Sequence, residues 1–199
     1  MATSVDIAKH ALSHLGDRFD LTALTDSTPE AEQVNLVYTY ERDRLLREHP
    51  WKFAQKFYKP DYELAGTVPA NWDYMFDYPS DCLRMLDLVN PLGRDLDPIP
   101  YDIGVTETNQ KAIFCDVEEP EFRYIYKVTD VDCFDVFFFE ALALRISARI
   151  CMGLTGSAEM CREMERKAAI AVGSAKSQDA NEGIEPSISK GPDWIRNRE

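Results

Sequence analysis

Three side chains in the sequence have the types needed for nucleophilic catalysis: Cys82, His49 and Asp81. A cysteine thiolate attacks a carbonyl carbon when a histidine takes its proton and a carboxylate orients the imidazole ring. Cys82, however, begins an apolar run, where a cysteine is normally a buried and unreactive thiol. The sequence also contains no glycine-rich nucleophile elbow, phosphate-binding loop or dinucleotide fingerprint. We therefore predict that the protein is not an enzyme and has no catalytic residues.

Cysteines and histidines are also the residues that could bind a transition metal. The sequence has five cysteines, an odd number with no Cys-x-x-Cys pair, and three histidines that lie far from them along the chain. Since a zinc site needs closely spaced ligand pairs, we predict no metal ion and no cofactor. No basic segment followed by an apolar one begins the sequence, so we expect reduced, mostly buried thiols in a cytosol. The cysteines are Cys82, Cys115, Cys133, Cys151 and Cys161, and the histidines are His10, His14 and His49.

The composition indicates a globular protein that neither wraps nucleic acid nor spans a membrane. With 199 residues, of which 45% are hydrophobic, the chain is long enough for one domain with a sizeable core. The formal net charge is −13, whereas a protein that wraps nucleic acid needs a basic footprint. A negative surface suits solubility, or the wall of a channel that DNA passes without sticking. No apolar run approaches the roughly 20 residues of a membrane span.

Apolar residues at helical spacing predict an antiparallel bundle of about four helices. We expect Ser4 or Asp6 to cap the first helix, and Ser27 with Glu30 to form a capping box at the second. The third helix is apolar on nearly every side, which predicts that it is the buried central rod of the bundle. The expected helices span about residues 4–16, 29–48, 134–152 and 156–177.

Arginines mark two surfaces of the predicted bundle. Arg145 and Arg149 lie four residues apart on the third helix and need carboxylate partners if they are buried. We expect the partner to be Glu140 or an acid on the fourth helix, with a subunit interface as the alternative. The mixed-charge end of the second helix is either a solvated face or, in a ring assembly, a contact with the neighbouring subunit. The subunit-interface candidates are Arg42, Arg44, Arg47, Arg145 and Arg149.

Residues from about 60 to 130 differ in character from the helical segments around them. Prolines interrupt this stretch repeatedly and exclude long helices. Between them lie short runs with the composition of strands, at 83–89, 113–115 and 122–128. We predict a small antiparallel sheet inserted between the second and third helices. The fold class is therefore mostly α with a β insertion.

The helical pattern ends near residue 178, which divides the chain into a domain at 1–178 and a C-terminal extension at 179–199. The extension is rich in glycine, proline, serine and charge, and it cannot pack a core of its own. We therefore expect a flexible tail. It nevertheless contains one tryptophan and two arginines, the residue types that dominate interface energies.

Two aromatic-rich segments organise the sequence. Residues 47–54 read Arg-Glu-His-Pro-Trp-Lys-Phe-Ala, and Pro50 ends the second helix there. Residues 72–84 read Trp-Asp-Tyr-Met-Phe-Asp-Tyr-Pro-Ser-Asp-Cys-Leu-Arg, with aromatic rings at alternate positions. Because each ring can bury roughly 150–250 Å², we predict that the two segments dock on each other in the core. The residues of this core motif are Pro50, Trp51, Phe53, Trp72, Tyr74, Tyr78 and Pro79.

A helix ending in His-Pro-Trp-x-Phe-Ala, then a loop and Trp-x-Tyr-x-Phe-x-Tyr-Pro-x-Asp-Cys-Leu-Arg, resembles the tail tubular protein A group of tailed bacteriophages. These are the head-to-tail adaptor, or connector, proteins, and the likeness runs more weakly through the whole chain. It implies a ring, typically of twelve copies, that lies beneath the portal in the neck of the virion and joins it to the tail. The implied partners are the portal protein, a tail nozzle or tail tubular protein B-like component, and other copies of the chain. DNA would pass through without sequence-specific binding, and assembly would take place in the cytoplasm of the bacterial host.

In the resembled family, the C-terminal extension reaches the portal and becomes ordered there. Two other functions stay open from composition alone. One is a different neck component, such as a stopper or tail-completion protein, and the other is a binding domain or small enzyme unrelated to virions. The implied portal-binding residues are Ile188, Lys190, Trp194, Ile195, Arg196 and Arg198.

Overall fold

The computed structural model describes residues 2–16, 21–61, 63–90 and 98–182 of the chain. Within these ranges the helices are α1 (Ser4–Ser13), α2 (Pro29–Glu48), α3 (Val136–Thr155) and α4 (Ala158–Asn181), with short 3₁₀ helices at Lys52–Ala54 and Val131–Cys133. The strands are β1 (Gln55–Tyr58), β2 (Tyr74–Asp77), β3 (Cys82–Leu88), β4 (Tyr101–Val105), β5 (Lys111–Cys115) and β6 (Phe122–Tyr126). All of these strands lie between α2 and α3, so the predicted fold, mostly α with a β insertion, is confirmed.

The first two helices start at caps that differ from the predicted ones. Thr3 caps α1: its hydroxyl accepts a hydrogen bond from the Asp6 amide, and the Asp6 carboxylate accepts one from the Thr3 amide. Asp6 is therefore the reciprocal partner in a capping box and not the cap itself. Thr28, not Ser27, caps α2. The residue before Pro29 is held in the extended conformation that an N-cap requires, which places the cap at position 28.

Helix α3 is the centre of the helical body. Helices α1, α2 and α4 each pack against it. Its buried face carries Phe138, Leu142, Ile146 and Ile150, which belong to one continuous core with side chains of the other three helices. Gly156 ends α3 with a φ of 64°, a left-handed conformation that favours glycine.

The inserted strands form two antiparallel sheets of three strands within the described ranges, where the sequence predicted one small sheet. The first sheet has the order β1-β6-β3, and Gln55 pairs with Ile125 in it. The second has the order β2-β5-β4, in which Ile113 lies between Phe76 and Ile103. Strand β1 begins directly after the 3₁₀ helix, ahead of the predicted start of the insertion near residue 60.

The two segments contact each other through Arg47 and Arg84, but their aromatic rings lie in different clusters and do not dock on each other as predicted. Trp51 and Phe53 both contact Phe138 of α3, with ring centroids 5.0 Å apart in each pair. Tyr74 and Tyr78 instead pack against a second core, which joins the two sheets. The physical reason is that α3 offers an apolar surface that covers the first segment, while the pairing of β2 with β5 draws the second segment into the sheets.

The remaining residues of the core motif are divided in the same way. Trp72 precedes β2 and packs with Met75 and Phe114 in a third, small cluster. Pro79 is buried beside the sheets' strands, whereas Pro50 is exposed at the turn that follows α2. The motif is therefore distributed over three clusters and does not form one.

Candidate functional site

Side chains from outside α2 cap the carbonyl groups at its C-terminal end. The last four carbonyl groups of a helix have no partner within the helix. The indole N–H of buried Trp51 donates to the carbonyl oxygen of Leu45 at 2.8 Å, and a guanidinium nitrogen of Arg84 donates to the Arg47 carbonyl oxygen at 3.3 Å. The aromatic segment at 47–54 thus holds the C-terminal end of α2 in place.

The three residues with the types of a nucleophilic site are each engaged elsewhere. His49 Nε2 donates to Asp179 at 3.0 Å, at the far end of α4. The Cys82 thiol donates to the Tyr78 hydroxyl at 3.0 Å, and burial raises the pKa of this thiol. Asp81 accepts hydrogen bonds from a lysine and a tyrosine side chain, both at 2.9 Å. The contacts of these residues connect elements of the fold, and none of them joins the cysteine to the histidine.

A buried glutamate on α2 gathers three of the five arginines that the sequence marked. Glu41 has a side chain that is 1% exposed. Its carboxylate lies 2.6 Å from Arg149, 3.6 Å from Arg145 and 3.9 Å from Arg44. The prediction that Arg145 and Arg149 pair with Glu140 or with an acid on α4 is therefore wrong. Because α2 packs directly against α3, it presents its carboxylates to the arginine stripe.

A second glutamate, one helical turn beyond Arg44, extends this network. Glu48 lies 2.7 Å from Arg145, 3.4 Å from Arg44 and 3.6 Å from Lys176 of α4. Burial alone would raise the pKa of Glu48, but the hydrogen bond and positive charge of Arg145, with Lys176 and Arg44, lower its pKa overall. The carboxylate is therefore held ionised by the fold.

These charges line a groove of about 500 Å³ between α2, α3 and α4. Arg145 is 13% exposed, and its Nη1 forms no hydrogen bond within the described part of the chain. Arg149 is 51% exposed and extends from Glu41 towards solvent. The groove therefore combines a fixed carboxylate with the exposed guanidinium group of Arg149, which can donate to an incoming carbonyl or carboxylate, whereas the unpaired Nη1 of Arg145 is buried. We call these residues the charged groove; its lining is Glu41, Arg44, Glu48, Arg145, Ala148, Arg149, Glu165, Ala168, Ala169 and Val172.

The other two candidate arginines do not line the charged groove. Arg42 is buried, forms two hydrogen bonds to Asp43 at 2.7 and 2.8 Å, and lies over the Tyr38 ring. Burial within its own subunit leaves Arg42 no surface to offer a neighbour. Arg47 is exposed and donates to the carbonyl oxygen of Leu83 at 3.2 Å, so it connects α2 to β3.

Helix α4 continues four residues past its predicted end near residue 177. Asp179 explains the extra length: it is 6% exposed, it accepts from His49, and it accepts a second hydrogen bond from the Lys52 amide at 2.9 Å. Sequence reasoning missed this residue because its partners lie about 130 positions away, and a lone acid near a helix end carries no local signal. The predicted portal-binding residues, Ile188, Lys190, Trp194, Ile195, Arg196 and Arg198, lie outside the described residues.

Sequence reasoning also missed an apolar stripe on the outer face of α2. Leu36 is 76% exposed and Tyr40 is 60% exposed, one helical turn apart. Met152 of α3 is 53% exposed, and its neighbour Gly153 faces Gln33 of α2. Large exposed apolar side chains of this kind are typical of interaction surfaces when they lie together.

The histidines, unlike the cysteines, include a cluster that could bind a metal ion. All five cysteines lie in the described ranges and none is in a disulfide; three of them are buried. His10 of α1 and His14, which follows the last residue of α1, by contrast converge with Glu140 of α3, and one ligand atom from each lies within 4.8 Å of the others. Burial lowers the pKa of His14, against the opposing effect of the Glu140 charge. The prediction of no metal considered the histidines only in relation to the cysteines.

In the part of the chain that the structure describes, no helix combines the length and the apolar character needed to cross a membrane. Comparison with models of known protein families, and with curated proteins, finds no match to this chain.

Proposed function

We propose that this chain is a structural head-to-tail adaptor of a tailed bacteriophage. In this proposal, copies of the chain form a ring beneath the portal protein, join it to a tail nozzle or tail tubular protein B-like component, and leave a channel for DNA. The protein would lie in the neck of the virion after assembly in the host cytoplasm. The proposal starts from the resemblance of the segments at 47–54 and 72–84 to that family.

The observation that carries the proposal is the structural role of the segment at 47–54, which anchors the end of α2. Trp51 is 1% exposed, caps a carbonyl of α2 and packs against Phe138, so the most distinctive residue of the motif is a fixed structural anchor. His49 ties the same point to the end of α4 through Asp179. These contacts support a structural role for the segment.

The charged groove supports the choice of a subunit interface. Arg149 is half exposed beside buried Glu41, so its guanidinium group can donate to a carbonyl or carboxylate oxygen of a neighbouring copy. The unpaired Nη1 of Arg145 is buried and is not part of that contact. Leu36 and Tyr40 on the outer face of α2 would add apolar area to the same contact.

The net charge supports passage of DNA without binding. A chain with a formal charge of −13 repels a phosphate backbone on average, so a ring of such chains gives DNA little to adhere to. The same repulsion opposes association between free copies. We therefore expect the isolated chain to be monomeric or weakly associated, with the portal ring acting as the template for assembly.

The test combines the purified chain with the portal protein of the same virus and follows light scattering and electron microscopy. We expect rings only when the portal is present. Leu36→Glu should reduce ring formation, because it places a charge on the exposed apolar stripe of α2 without removing a buried side chain, while Arg166→Glu on the exposed face of α4 serves as the control. A stable dimer that ignores the portal would contradict the proposal.

A different neck component is distinguished by the order of assembly. A stopper or tail-completion protein would bind only after an adaptor ring is in place, so it would fail to bind bare portal rings and bind the completed adaptor complex. A binding domain unrelated to virions would bind neither. The two mixtures, portal alone and portal with adaptor, therefore separate the three functions.

A further inference from the structure

Two histidines and a glutamate from separate helices meet at one edge of the helical body. His10 lies in α1 and His14 caps its C-terminal end with helical backbone angles, so the two rings are neighbours, with centroids 4.8 Å apart. Each Nε2 approaches a different oxygen of the Glu140 carboxylate on α3: His10 hydrogen-bonds to Oε2, and His14 lies 3.4 Å from Oε1. One ligand atom from each of the three residues falls within 4.8 Å of the other two.

We propose that His10, His14 and Glu140 form a binding site for a divalent transition-metal ion, with zinc as the ion that fits best. Two imidazoles and one carboxylate are a ligand set that zinc accepts, whereas magnesium and calcium favour oxygen ligands throughout. Histidines four residues apart in helical backbone are also a recurrent way to present imidazoles to zinc, and the helical φ and ψ of His14 extend that spacing to the cap of α1.

One of the three distances between ligand atoms already fits tetrahedral coordination. With metal–ligand bonds of about 2.0–2.1 Å in a tetrahedral site, neighbouring ligand atoms lie about 3.3 Å apart. The 3.4 Å between His14 Nε2 and Glu140 Oε1 is close to that value. The hydrogen bond between His10 and Glu140 has to open slightly to admit the ion, and a side chain that is 40% exposed has room to make that movement.

His14 supplies the observation that an ordinary ion-pair network does not explain. Its Nε2 is buried and forms no hydrogen bond within the described residues, although Glu140 is near. A buried ring nitrogen without a hydrogen bond costs free energy, and a metal ion would use its lone pair. The Nε2 atom of His14 is therefore available to bind a metal ion, since neither His10 nor Glu140 forms a hydrogen bond with it.

Solvent can complete the coordination. The side chains of His10 and Glu140 are 40% and 41% exposed, so water can reach the fourth position. The ligands come from α1 and α3, with 130 positions between His10 and Glu140. An ion held by both helices would close a long stretch of chain, which is the arrangement in which a cross-link restricts the unfolded state most. Its role would therefore be to fasten α1 to the central helix.

The experiment uses the full chain, purified without a polyhistidine tag and stripped with a chelator. Zinc is titrated by calorimetry, and thermal melts are recorded with and without zinc. We expect one zinc per chain, and a rise in melting temperature of about 5–10 °C when free zinc is a hundred times its Kd. Glu140→Gln and His10→Gln should each weaken zinc binding by at least about 10-fold, the lower range of effects seen even for outer partners of metal ligands.

His49→Gln is the matched control, because it removes the third histidine and leaves the proposed ligands intact. Cobalt substitution provides a second readout that does not depend on folding energy: the proposed ligands give weak d–d bands without the intense thiolate charge-transfer band of cysteine ligation. Stoichiometric binding that survives both Glu140→Gln and His10→Gln, a cobalt spectrum with thiolate bands, or no binding at micromolar zinc would each overturn the proposal.

Discussion

Trp51 donates its indole N–H to the carbonyl oxygen of Leu45 across 2.8 Å, with its ring packed edge-on against Phe138 at a centroid distance of 5.0 Å. One side chain therefore satisfies a carbonyl at the open end of α2 and fills the space between α2 and α3. Because the chain must leave the helix at Pro50, Trp51 is the first residue that can turn back and perform both tasks.

We predict that Trp51→Ala lowers the free energy of unfolding by about 3–5 kcal/mol, the usual cost of removing a buried large aromatic ring. Trp51→Phe keeps part of the packing but leaves the Leu45 carbonyl unpaired, which costs about 1–3 kcal/mol. Urea denaturation of the three proteins measures both values. Trp72→Ala, at a half-buried ring in the small third cluster, should cost less. A loss below about 1 kcal/mol for Trp51→Ala would show that the ring is not an anchor.

A second prediction concerns the buried carboxylate of the charged groove. Glu41→Gln should destabilise the fold by about 1–3 kcal/mol, because it removes the buried anion that Arg145 and Arg149 share, although Glu48 still lies 2.7 Å from Arg145. Chemical denaturation provides the measurement. Glu163→Gln, at an exposed pair with Arg166, is the control and should change stability little. Equal effects of the two substitutions would mean that the groove network contributes nothing special.

The helices and the ion pairs of the charged groove differ in how far the sequence could predict them. The helices and the central position of α3 follow from local periodicity, since an apolar stripe repeats within a few residues. The partners of Arg145 do not follow from local periodicity, because Glu41 and Glu48 lie about 100 positions away in the sequence. Nothing in the local sequence distinguishes them from any other acid on a neighbouring helix. Prediction from the third helix alone therefore favoured the nearest acid in sequence, Glu140, which faces α1 instead.

The β insertion shows the same limit for strands. The aromatic residues that alternate along 72–78 have the period of an extended chain, and β2 forms there, although the expected strand-like runs were at 83–89, 113–115 and 122–128. Which strand it pairs with depends on the β4–β5 hairpin, and the split into two sheets depends on β6 lying between β1 and β3. These are long-range choices that composition and periodicity do not encode. The histidine site is similar, because only the packing of α1 on α3 brings Glu140 to His10 and His14.

A third prediction follows from the lowered pKa of Glu48. The ordinary pKa of a glutamate is near 4.5 and the folded value lies below it, so the fold favours the ionised form. Its contribution to stability is fully present above about pH 4.5 and is lost as the pH falls through the folded pKa. Glu48→Gln should therefore reduce stability at pH 7, and the difference from the native chain should shrink towards pH 3. Urea midpoints measured across this range test the prediction; a gap that stays constant with pH would contradict it.

The last prediction concerns the C-terminal extension. Its sequence is polar, yet it holds Ile188, Trp194 and Ile195 among basic residues, and tryptophan and arginine are enriched in interface hot spots. We expect it to be the part of the chain that attaches to the portal. Deleting residues 183–199 should leave the melting temperature nearly unchanged, because α4 already ends at Asn181 and is held there by the contacts of Asp179.

The same deletion should severely weaken attachment to portal rings, which co-sedimentation measures. Trp194→Ala alone should cost about 2 kcal/mol of binding free energy or more, the scale of a hot spot. Glu185→Ala is the matched control, since it removes one charge from the same segment at a position outside the predicted portal-binding residues and leaves the tryptophan in place. A segment that becomes ordered on binding loses conformational entropy, so its few large side chains have to supply most of the favourable free energy. Equal binding by the truncated and complete chains would remove the extension from the mechanism and place attachment on the helical body, where the charged groove and the Leu36–Tyr40 stripe are the surfaces to test next.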